Sequence, residues 1–253
     1  MNTTKLHILE NTVSLLANSI VEFEKKLSKP VLICNERGEY YPRFSQPHSG
    51  HFQFLMAVKI VSTLNGIICL LRDDFIQEVA VLVRIVDECS AKICCIQEAH
   101  SNQNLNSTQS DIVDGYFEYD LQSVDDLKNK EKWWVNMEKV FASHARFLSQ
   151  GTPNKDVAGI QKNCRILYDA FTGYIHGFYS QIMELYDSRQ KLYSVKGVHD
   201  PFFLDPMYWT VASVVLRSIN VFAVIAAQLE LNDLRTELIE NRDIFIDSEA
   251  YRK

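Results

Sequence analysis

Residues 51–98 read HFQFLMAVKIVSTLNGIICLLRDDFIQEVAVLVRIVDECSAKICCIQE, and this stretch decides the fold class. It holds two long apolar runs without proline, joined only by Arg72-Asp73-Asp74. Each run is far longer than a strand, so the spacing predicts helices over about 51–71 and 73–98. The short link makes them antiparallel neighbours. In the second helix Leu82, Ile85, Val86, Cys89, Ile93 and Ile96 form one apolar face. The opposite line carries Gln77, Ala80, Arg84, Glu88, Ala91 and Cys95, with Asp87 close by. Small residues around an Arg84/Glu88 pair let another helix approach and bury it, either as a clamp between bundle halves or as a polar pocket.

The same periodicity extends outward. Leu9, Val13, Leu16, Ile20 and Phe23 predict a first helix over about 4–29, stopped by Pro30. Three of the six prolines follow in residues 30–50, where residues 31–34 and 39–41 read as a short hairpin around Arg37-Gly38. Further helices are expected over about 130–150, 155–193, 207–229 and 232–244. Together these predict an all-α chain: a single helical domain over 1–253, a bundle of six or seven helices. It divides into an N-terminal helix and loop (1–50), a helical hairpin (51–100), an acidic loop (101–126) and C-terminal helices (127–253).

Composition agrees with this. Nine glycines and six prolines make about 6% of 253 residues, against a usual share of about 12%. Sheets and their turns consume both residues, so most all-β architectures are excluded. At 47% hydrophobic, the chain is not globally disordered. The net charge is −6, and five of those negatives come from residues 101–131, with seven acids against two lysines. That segment reads as an exposed acidic insertion, mobile near 101–110. Without it the bundle is nearly neutral, so the acidic balance neither favours nor excludes an RNA substrate.

The six cysteines are placed mainly in apolar helical runs and show no zinc-site spacing, so neither disulfides nor a metal site is expected. His48/His51 and Cys94/Cys95 lack a complementary ligand set. Trp133, Trp134 and Trp209 read as core or interface anchors. No signal peptide is evident at the N-terminus. The uncharged runs 207–216 and 218–229 are interrupted by Arg217 and stopped by Glu230, each short of the about 18–20 residues of a membrane span. The expected location is cytoplasmic, with no membrane association. Glycine-rich phosphate loops, GxSxG and HExxH are absent, and no cofactor is expected.

The fifth expected helix carries a polar stripe. At 100° per residue, Arg165, Asp169, Thr172 and His176 share one side, while Cys164, Leu167, Phe171, Tyr174, Ile175, Phe178, Ile182 and Leu185 form the core face. Tyr168, Tyr179 and Tyr186 line the border. Such a stripe would bind phosphate and supply a proton donor or acceptor. It equally fits an ordinary Arg165–Asp169 pair on a solvated face. Arg217 stands in the middle of an apolar helix and needs a partner such as Glu88, Asp87 or Asp169, unless it lies at the surface.

LLRDDFIQEVAVLVRIVDECSAKI (70–93), followed by YDAFTGYIHGFY (168–179), resembles a group of uncharacterised bacterial helical proteins. In that group an R-x(3)-E-like helix precedes a Ser/Thr-x-Tyr-Val/Ile-His sequence. Arg84 and Glu88 match the first element; Thr172, Tyr174 and His176 match the second. The group is similar to the HEPN superfamily, whose helical members are often RNases in toxin–antitoxin and anti-phage systems. The resemblance therefore implies a metal-independent RNase or toxin-like effector, with His176 as general acid or base and an arginine on the phosphate. The family's Arg-x(4–6)-His motif is not intact, because residues 169–171 before His176 are Asp, Ala and Phe. Arg43 and His48 have that spacing but lie in a proline-broken loop. An arginine partner for His176 is expected from another helix, with Arg84 or Arg217 the candidates. On this reading Arg84, Glu88, Asp169 and His176 are catalytic. Arg165, Thr172, Tyr174, Tyr179 and Arg217 bind ligand, and the partner is RNA or a nucleotide. The alternatives are a nucleotide or small-ligand sensor, and a non-catalytic module that forms a homodimer or binds a protein partner.

Overall fold

A computed structural model of the chain describes residues 3–34, 38, 40–101, 107–118, 136–149, 156–195, 197 and 200–251. The fold is all-α. Its helices are α1 (Thr3–Glu24), α2 (Ser49–Arg72), α3 (Ile76–Ser101), α4 (Ser107–Glu118), α5 (Met137–Ser149), α6 (Val157–His176), α7 (Tyr179–Met183), α8 (Pro201–Gln228) and α9 (Asn232–Asp247). Two small antiparallel pairs accompany them: β1 (Val31–Cys34) with β2 (Tyr40–Arg43), and β3 (Tyr186–Asp187) with β4 (Leu192–Tyr193).

Helix α3 is the axis of the bundle, packed against α2, α5, α6 and α8. Helix α1 buries Leu6, Leu9, Val13, Leu16 and Phe23, one stripe at spacings of three, four and seven, against α2 and α8. It ends at Glu24, five residues before the expected stop, because the stripe runs out at Phe23. Phe23 meets Phe222 of α8 with ring centroids 5.5 Å apart. Ile60, Leu64, Ile67, Ile93, Ile96 and Ile219 fill the centre. Removing any such side chain from water contributes about 1.5–3 kcal/mol.

The α2–α3 turn is as tight as its sequence implies. Asp74 adopts a left-handed φ of 57°, and the Phe75 amide donates to the Leu70 carbonyl. Gly197, at φ 93°, lies against the Asp73 carbonyl with no room for a side chain, which holds the segment before α8 onto this turn.

Three expectations need correction. Residues 107–118 of the acidic segment form α4 rather than loop, with Gln109, Ile112 and Val113 buried. Residues 102–106 and 119–126 of that segment, together with Trp133 and Trp134, lie outside the described residues. The single helix expected over 155–193 ends at His176. Gly177 takes a left-handed φ of 60°, and its amide and that of Phe178 both donate to the Gly173 carbonyl. Phe178, Ile182 and Leu185 therefore do not continue the face of α6. Finally, α8 begins at Pro201, with the Asp200 carboxylate capping the Phe202 amide, and it runs through Pro206.

Taken over whole helices rather than uncharged runs, α2 and α8 are long and apolar enough to cross a bilayer. About half of each apolar window (50% and 56%) is buried inside the bundle. Helix α2 packs against α1 and α3, and α8 against α1, α3 and α9.

Candidate functional site

The two sequence elements singled out above do meet, at the seam between α3 and α6. Arg84 Nε donates to Glu88 Oε1 at 2.9 Å, one turn along α3. Its Nη1 crosses the seam to Thr172 Oγ1 at 3.0 Å, and its guanidinium carbon lies 3.8 Å from the Tyr168 ring centroid. The Thr172 hydroxyl in turn donates to the Tyr168 carbonyl. Arg84 is 12% exposed, so this guanidinium is held by an acid, a hydroxyl and a ring face at once. Tyr168, expected at the border of the helix face, is thus central, and it also packs on Phe141 of α5.

The other predicted residues disperse around this clamp. Arg165 pairs with Glu138 of α5 at 2.7 Å and with Asp169 at 3.6 Å, and both Arg165 and Asp169 are mostly exposed. His176 is exposed at the end of α6, its ring stacked on Phe178 at 6.0 Å. Neither Arg84 nor Arg217 bonds to it. Tyr174 donates to Glu184 at 3.0 Å, which fastens α6 to the residue after α7. Burial pushes the pKa of both groups up, though for Glu184 the tyrosine hydrogen bond opposes this. Tyr179 is 81% exposed. Arg217 pairs with Asp87 on the α8 side of α3, away from Thr172. Leu167 and Ile175, expected in the core, are exposed, and the covered side of α6 runs instead through Cys164, Tyr168, Phe171 and Thr172.

Sequence reading missed a second polar centre at the far end of α3. Glu98, 5% exposed, is bound by Arg146 and Ser143 of α5 and by Gln109 of α4. Nearby in the bundle, buried Cys164 and His144 approach with Sγ and Nδ1 3.8 Å apart. Burial lowers His144 to about 4 and raises Cys164, so both groups are neutral near pH 7 and the thiol is not activated. Among the described residues, no group of three His, Cys, Asp or Glu side chains is placed to hold a metal ion.

An open space lies elsewhere in the fold. A cleft of about 940 Å³ opens between the end of α1, the proline loop after β2, α2, α4 and the start of α5. Its wall is aromatic and aliphatic: Phe52 and Tyr116 meet edge to face at 5.2 Å, Tyr116 and Phe117 at 5.3 Å, and Leu27, Met56 and Ile112 complete it. Lys29, after α1, Arg43 of β2, Lys92 of α3 and Lys139 of α5 reach the lining, against two acids, Glu24 and Asp111. The one signal available in the sequence was the Pro42–Pro47 segment carrying Arg43 and Phe44, which reads as a loop and nothing more. No family model matches the chain, and neither a curated protein nor a solved structure matches it.

Proposed function

We propose that this protein is a small-ligand-binding helical module, a sensor rather than an enzyme, with the cleft beneath the β1–β2 hairpin as its site. The cleft itself carries this reading. Its volume lies at the upper end of the roughly 300–1,000 Å³ of small-molecule sites, and an apolar wall with few charged groups is their usual make-up. The test is ligand retention and thermal shift. Native mass measurement of freshly purified protein should show an added mass that denaturation removes. The extracted compound, restored at a hundred times its Kd, stabilises the fold by about 2.7 kcal/mol. An empty native mass, with no compound of a metabolite and lipid panel raising the melting temperature, overturns the reading.

A second reading is favoured by one observation: the Arg84–Thr172 bond brings the R-x(3)-E helix against the T-x-Y-I-H element. On this reading the protein is a HEPN-like, metal-independent RNase. His176 acts on the 2′-hydroxyl, and Arg84, released from Glu88, stabilises the phosphate. Wild type and His176→Ala are compared on tRNA and total RNA in EDTA. Cleavage by the wild type alone supports the nuclease, and equal, negligible cleavage by both removes it.

A further inference from the structure

We infer that the cleft takes an amphipathic anion: a molecule with an apolar chain or ring body and a single carboxylate or phosphate head, the head paired with Lys92. This rests on the cleft being a ligand site and adds the chemical class of its occupant. Lys92 is the informative residue. It lies within the buried stretch of α3, between Ala91 (1% exposed) and Ile93 (0%), and is itself half-buried. Among the described residues no carboxylate stands within ion-pairing distance of Lys92, nor of Lys139 across the same lining. An ammonium partly withdrawn from water and without an ion-pair partner among the described residues is costly, and an anion delivered by a ligand offsets that cost.

The rest of the lining selects the remainder of the molecule. Phe52, Tyr116, Phe117, Met56 and Ile112 offer an apolar wall whose rings are already locked edge to face, so little ordering remains to be done on binding. Glu24 and Asp111 share that lining and repel a polyphosphate, which argues for one anionic head rather than several. The neutral polar groups are few, Ser28 and Asn136 among them, too few to read a sugar and a base together.

The experiment is calorimetric titration of the full chain with decanoate, decyl phosphate, decanol and AMP. Wild type is compared with Lys92→Gln, after equal melting temperatures show that both are folded. Either decyl anion should bind one per chain, and whichever binds tighter identifies the head. Decanol should bind about ten- to a hundredfold more weakly, the usual worth of a charge-assisted bond. Lys92→Gln should weaken the anion by about tenfold and leave decanol unchanged. Decanol binding as well as the anions, or an anion affinity indifferent to Lys92→Gln, overturns the proposed class while the cleft remains a ligand site. AMP binding where the decyl compounds fail overturns it too. If none of the four binds and the retention test is also empty, the cleft reading itself is wrong.

Discussion

His144 makes the stability of this bundle depend on pH in a way that one substitution isolates. The ring is 2% exposed on α5. Its Nδ1 faces the Cys164 sulfur, and its Nε2 has no hydrogen-bond partner among the described residues. Burial holds its pKa at about 4, against an ordinary 6.5. Below pH 6.5 the unfolded chain takes up a proton that the folded chain refuses, so stability is fully present above that pH and is lost as pH falls towards 4. At about 1.4 kcal/mol per pH unit, the loss reaches about 2.5 kcal/mol by pH 4.5 and about 3 kcal/mol by pH 4. The assay is urea unfolding at pH 7 and pH 4.5 for wild type and His144→Leu, which is close in volume and cannot titrate. His51 is also lowered, first by burial and then by His48, but it is present in both proteins and cancels in the difference. Wild type should lose about 2.5 kcal/mol more than the variant between the two pH values. Parallel losses would show that the ring protonates inside the fold, and the burial argument would fail.

Two other outcomes follow from the packing. Arg217→Met leaves the Asp87 carboxylate, 11% exposed, without its cation, and should cost about 3–5 kcal/mol in denaturant unfolding. Adding Asp87→Leu should restore most of this, and a double variant no better than the single would show that the two charges do not depend on one another. In native protein only Cys34 and Cys69 should react with a thiol reagent, two of six. Cys89, raised to about 11, and the still higher Cys94 stay buried with Cys95 and Cys164 until urea exposes them. Rapid labelling of more than two would contradict the packing of α3 against α5 and α6.

Legibility varied with how local the cause was. α2, α3 and the β1–β2 hairpin could be read from periodicity and turn residues because each rests on its own neighbours in sequence. Arg84–Glu88 was visible for the same reason, being one helical turn. Helix α4 was hidden by its charge: Ile112, Val113 and Phe117 have helical spacing, but the surrounding acids suggest solvent. The break at Gly177 was read through, since a lone glycine in a helical pattern is tolerated unless tertiary packing selects its left-handed form. Here Gln181 folded back over Gly173 provides that packing. Pro206 misled in the opposite direction, placing the start of α8 six residues late. The cleft was out of reach because six separate stretches of chain, from Glu24 to Lys139, supply its wall, and no single window contains more than two of them. Glu98 escaped because an acid near the end of an apolar helix looks like surface until α4 and α5 close over it.

Helix α3 bonds to its neighbours through polar groups: a guanidinium to α6, a carboxylate to α8, an amide to α2 through Gln97 and Gln53, and a second carboxylate to α4 and α5. These groups are spread over four turns, from Arg84 to Glu98, so they act like the wards of a lock. A core of leucine and valine alone would accept α3 slid by one turn or reversed end to end with little penalty. With this pattern, any such displacement strands four polar groups in the interior together. The expectation is that those charges supply uniqueness of arrangement more than net stability, so that a redesigned α3 of pure hydrocarbon folds to several packings instead of one.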